Sequence, residues 1–80
     1  MDPPHINYID YKSLLVINSI GQIRQLFVPF KVQVLQPAEY LKVGSWVVVD
    51  EIMPHDQYKL LYRIGANWWP YYIFRLTVLF

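Results

Sequence analysis

The chain has 80 residues and a mass of 9.6 kDa, which is room for one small domain built on a single core. Apolar residues make up 55% and charged residues 16%, a balance that excludes intrinsic disorder and supplies ample material for a core. Seven Lys and Arg against six Asp and Glu leave a net charge of +1, which excludes attraction of polyanions by the molecule as a whole, and the absence of cysteine excludes disulfides and thiolate chemistry.

Taken in chain order, Met1-Asp2-Pro3-Pro4-His5 lacks the cationic start and apolar run of a secretory signal, and residues 1–10 are expected to form a flexible tail. Residues 11–80 are expected to form the folded domain. Ser13 to Ile17 reads as a first strand, Asn18-Ser19-Ile20-Gly21 as a turn, and Gln22 to Val28 as a second strand. Pro29 cannot donate to a ladder and marks a corner before Phe30 to Gln36, where Val32 and Val34 face one way and Lys31 and Gln33 the other. Residues 37–41 suit one short helical turn, with Pro37 at a position where a missing amide costs nothing.

Ser45 to Glu51 is the next strand, and Met53 to Gln57, with Pro54, reads as a polar loop. In Tyr58 to Ile64 the alternation sends Leu60, Tyr62 and Ile64 inward and Lys59 and Arg63 outward. Gly65-Ala66-Asn67 connects this strand to a last one, Trp68 to Leu79, bent at Pro70. The chain carries an internal echo. Tyr11-Lys12 with Leu14-Leu15 and Ile17 matches Tyr58-Lys59 with Leu60-Leu61 and Ile64, and Phe30 to Leu35 matches Phe74 to Leu79, through duplication or through convergence of similar hairpins.

These elements predict an all-β domain, a small barrel of five to six strands built from hairpins, with one short helical turn near 37–41. The order of hairpin, long strand, one-turn connector, Val43-Gly44 and aromatic-rich hairpin resembles the Src-homology-3-like barrels in layout over residues 12–79. That resemblance implies a fold and no activity. It lacks the acidic first loop with which a proline-peptide groove is built.

Function is carried by no recognised motif, so it must be sought in surface chemistry. In Trp68-Trp69-Pro70-Tyr71-Tyr72-Ile73-Phe74 adjacent side chains point to opposite faces, so one of Trp68 and Trp69 faces outward, as does one of Tyr71 and Tyr72. Aromatic residues are favoured anchors at protein interfaces, and Arg63 and Arg75 flank this segment as a polar rim. The expected function is therefore a non-catalytic interaction module or accessory subunit, cytoplasmic, binding a protein partner or a second copy of itself through Trp68, Trp69, Tyr71, Tyr72, Arg63 and Arg75. Interleaved cations and rings also suit single-stranded nucleic acid, the alternative reading for the same face, which Asp50, Glu51 and Asp56 oppose.

Other chemistry finds little support in the residues. His55-Asp56 with Asp50 and Glu51 matches no metal-ligand spacing, so no metal is expected. Gly21, Gly44 and Gly65 stand alone rather than in a phosphate loop, and Ser13, Ser19 and Ser45 lie outside any nucleophile elbow, so neither cofactor nor catalysis is expected. The longest apolar stretch, Trp68 to Phe74, is far shorter than the roughly 20 residues of a membrane-spanning helix.

Overall fold

The computed structural model describes residues 5–78. Among the described residues nine strands form: β1 (His5–Asp10), β2 (Ser13–Ile17), β3 (Ile23–Phe27), β4 (Phe30–Val34), β5 (Trp46–Val49), β6 (Glu51–His55), β7 (Lys59–Ile64), β8 (Asn67–Pro70) and β9 (Phe74–Arg75). They form three antiparallel sheets of three strands each, ordered β1-β2-β3, β5-β4-β9 and β6-β7-β8. All three contribute to one core of Leu14, Phe30, Val32, Val34, Leu41, Val49, Ile52, Leu60, Tyr62, Ile64, Ile73 and Phe74. Tyr62 lies at its centre, edge-on to Phe30 at 5.6 Å and tilted against Phe74 at 6.0 Å.

The expected Src-homology-3-like barrel is overturned: the sheets are open, and among the described residues no ladder joins one to the next. The breaks have local causes. At Asp50 the run from β5 to β6 changes partner, from β4 to β7, with the Asp50 N–H donating to the Arg63 carbonyl at 2.9 Å. Pro70 ends β8, and the 3-10 turn Tyr71–Ile73 separates it from β9, which is only two residues long. Pro29, with no N–H to give, separates β3 from β4.

Smaller expectations shift for similar reasons. No helical turn forms at 37–41, because Glu39 takes φ 45° and the chain closes instead as a tight bridge, with the Leu41 N–H donating to the Ala38 carbonyl at 2.7 Å. The helical geometry lies at Tyr71–Ile73, inside the expected last strand, whose Leu79 is outside the described residues. Met53 to His55, expected as loop, completes β6. His5–Asp10, within the expected tail, is β1 and pairs along β2 with an irregularity between Tyr8 and Asp10.

The internal echo has a structural counterpart. Its first pair supplies β2 and β7, each the central strand of a three-stranded meander, and its second pair supplies β4 and β9, which lie side by side with Gln33 opposite Arg75. Among the described residues, no helix is long and apolar enough to cross a membrane.

Candidate functional site

The third sheet shows which tryptophan faces outward. Tyr62 is 1% exposed and stands opposite Trp69 on one side and Ile52 on the other, so these three share the core-facing side. Alternation then puts Trp68, Arg63 and Glu51 in one row on the outer side. Trp68 is 37% exposed, and Met53, Leu61 and Pro70 form the adjoining row. Arg63 Nη2 meets Glu51 Oε1 at 2.9 Å and Nη1 donates to the Gly65 carbonyl at 3.3 Å, so the guanidinium is held between these two groups.

Trp69, on the other side, lies under Tyr40, whose ring meets it edge-on at 5.9 Å. The Asn67 side-chain amide donates to the Tyr40 hydroxyl and holds that lid in place. Trp69 is therefore part of the packing rather than of a docking face. Among the described residues, its Nε1 is buried without a hydrogen-bond partner, as are the Tyr62 hydroxyl and, on the outer side, Arg63 Nε. Burial of Tyr62, with a smaller contribution from the nearby Tyr71, raises its phenol pKa above the ordinary value.

Tyr71 and Tyr72 belong to a separate cluster. Their rings meet edge-on at 6.0 Å; Tyr72, 48% exposed, then approaches Tyr58 at 6.3 Å, and Tyr58 stacks on His55 at 5.0 Å and 27°. His55 is engaged by its own turn: Nδ1 accepts from the N–H groups of Gln57 at 3.1 Å and Tyr58 at 3.3 Å. Among the described residues, no group of three or more His, Asp or Glu side chains is placed to hold a metal ion.

Arg75 stands apart from all of these, on the outer side of the second sheet. There the register sets Arg75, Gln33 and Trp46 in one row and Lys31 opposite Val48 in the next, with no carboxylate in either. Trp46 is 55% exposed, and a shallow groove of about 680 Å³ runs among Leu26, Phe30, Lys31, Trp46 and Thr77. Neither Lys31 nor Arg75 forms an ion pair among the described residues.

The six residues singled out from the sequence thus fall into distinct places. Trp68 and Arg63 share the outer third sheet, Trp69 is covered, Tyr71 and Tyr72 join His55 and Tyr58, and Arg75 joins Trp46. Trp46 escaped notice because Trp46-Val47-Val48-Val49 is apolar throughout, so its alternation is silent about which side faces water. No protein-family model matches this chain, and no curated protein or solved structure matches it either.

Proposed function

We propose that this chain is a non-catalytic binding module that docks a protein partner on the outer side of its third sheet, with Trp68 as the anchor. The observation that carries the reading is the row Glu51, Arg63, Trp68: a partly exposed indole next to an ion pair already fixed in place. An aromatic anchor bordered by a preorganised polar rim is the arrangement from which interface hot spots are built. Met53 and Pro70 extend the apolar contact beside it. The engagement of His55 Nδ1 by two backbone donors supports the non-catalytic part, since that nitrogen has a structural partner.

Tagged wild-type protein and the Trp68→Ala variant, expressed at equal levels, test this by quantifying the proteins that co-purify with each. Species retained by the wild type are expected to fall at least tenfold with Trp68→Ala and to persist with the distant Ile20→Ala. Equal retention by a folded Trp68→Ala protein would rule the surface out.

A second reading, single-stranded nucleic acid, draws support from the row Arg75, Gln33, Trp46 with Lys31 beside it. Two cations and one stacking ring form a minimal platform for phosphates and a base. Two phosphate contacts predict that affinity for a single-stranded oligonucleotide falls roughly sevenfold between about 50 and 200 mM salt. Binding that ignores salt, or that survives Trp46→Ala, contradicts it.

A further inference from the structure

The first sheet ends in a free edge whose hydrogen-bonding phase can be read from its two ends. The Val28 N–H donates to the Lys12 carbonyl at 2.8 Å and the Asn18 N–H to the Gln22 carbonyl at 3.0 Å. Between those brackets the register runs Leu14 with Leu26 and Val16 with Arg24, and these are the hydrogen-bonded pairs of the ladder. Ile23, Gln25 and Phe27 alternate with them, so their N–H and C=O groups point away from β2. Among the described residues, those groups have no hydrogen-bond partner.

The side chains on this edge are equally open. Ile23 is 63% and Phe27 60% exposed, and both lie on the sheet side that carries the half-buried Leu15 and Ile17. Natural edges are usually blunted by proline, lysine or a bulge, and β3 has none of these within Ile23–Phe27. Its only charge is Arg24.

We propose that two copies of this chain pair antiparallel through β3, about a two-fold axis at Gln25, forming a continuous six-stranded sheet. This surface is independent of the one assigned to Trp68. The axis position follows from charge and proline placement. Centred on Gln25, each copy sets Ile23 against Phe27 of the other, aligns every outward amide and carbonyl of Ile23, Gln25 and Phe27, and places Arg24 opposite Leu26. Shifted to Arg24, the pairing sets two guanidinium groups face to face, which is unfavourable. Shifted to Leu26, it brings Ile23 against Pro29, which has no N–H. The net charge of +1 puts little repulsion between copies. Five residues of edge bury well under the ~800 Å² per partner of a standard stable interface, so the dimer is reversible and concentration-dependent.

Sedimentation velocity on the whole chain, from low micromolar to millimolar, is expected to show monomer giving way to dimer. In the wild type, amide exchange at Ile23, Gln25 and Phe27 is expected to slow in step with dimer formation. Ile23→Lys is expected to weaken the dimer at least tenfold, as is Gln25→Pro, which removes an outward N–H the fold does not use. Adding Phe27→Glu to Ile23→Lys is expected to restore pairing, because positions 23 and 27 meet only between copies; within one strand they are roughly 13 Å apart. The proposal is overturned by a protein that stays monomeric to millimolar concentration. It is equally overturned by a dimer that leaves those three amides unprotected, or by a folded double variant that fails to recover.

Discussion

Arg63 stands directly opposite Trp68 across the ladder between β7 and β8, and opposite Glu51 on its other side. The three side chains make one partly exposed row on the outer sheet side, beside the buried Leu61, while the neighbouring row, Ile52, Tyr62 and Trp69, turns into the core. Two consecutive tryptophans therefore have opposite roles.

Their substitutions should separate accordingly. Trp69→Ala removes a ring packed under Tyr40 and beside Tyr62 and is expected to cost about 3–5 kcal/mol, whereas Trp68→Ala is expected to cost about 1–2 kcal/mol. Urea unfolding of both variants measures the difference. Equal losses would contradict the assignment of Trp69 to the packing and Trp68 to the surface.

Tyr62 buries a hydroxyl with no hydrogen-bond partner among the described residues. Tyr62→Phe is therefore expected to be stabilising, by about 1 kcal/mol, in denaturant unfolding. The same burial fixes a pH dependence. With the folded pKa raised above the ordinary 10.0, the folded state holds this proton more tightly than the unfolded one. The corresponding stability is complete below pH 10.0 and declines as pH climbs from there towards the folded pKa. Tyr62→Phe should flatten that alkaline decline, and an unchanged decline would assign it to other groups.

The hairpin between β6 and β7 depends on His55. Replacing it by Ala leaves the N–H groups of Gln57 and Tyr58 without their acceptor and removes the stacked partner of Tyr58, at an expected cost of about 1–2 kcal/mol. Asn, which offers a side-chain acceptor suited to turns, should recover part of the loss. Thermal unfolding of the two variants decides the matter: an Asn variant no better than Ala would show that the ring contact, and not the acceptor, holds the turn.

Gly21 adopts φ 85° in the turn between β2 and β3, where the Asn18 side-chain oxygen accepts from the Ile20 N–H at 3.2 Å and the Gln22 N–H at 2.9 Å. Nothing lies within 4 Å of the position a Cβ would take, so Gly21→Ala tests backbone conformation alone. A loss of about 1 kcal/mol is expected in chemical unfolding. No loss would mean that the turn relaxes to a negative φ.

The sequence carries the local structure well and the closure of the fold poorly. The alternation of Val32 and Val34 against Lys31 and Gln33, and of Leu60, Tyr62 and Ile64 against Lys59 and Arg63, holds in β4 and β7 because one side of each packs into the core, although Leu61 on the outer side of β7 is buried too. Whether three sheets close into a barrel depends on where ladders stop. That is decided at Asp50 and Pro70 by which strand lies alongside, a non-local choice that periodicity does not encode. The same distinction governs the surface. Alternation requires one of Trp68 and Trp69 to face outward, but the residue that settles which is Tyr40, far upstream in the chain and folded over Trp69. Trp46 and the β3 edge stayed hidden because a uniformly apolar strand, or one exposed at all but Leu26, gives little contrast between its two sides.

The most direct test of the binding reading is photo-crosslinking in cells from a benzophenone amino acid placed at position 68, with the more exposed position 20 as control. A discrete protein adduct is expected from position 68, one that excess wild-type protein abolishes and excess Trp68→Ala protein does not. No adduct at position 68, or the same adducts from positions 68 and 20, would contradict it.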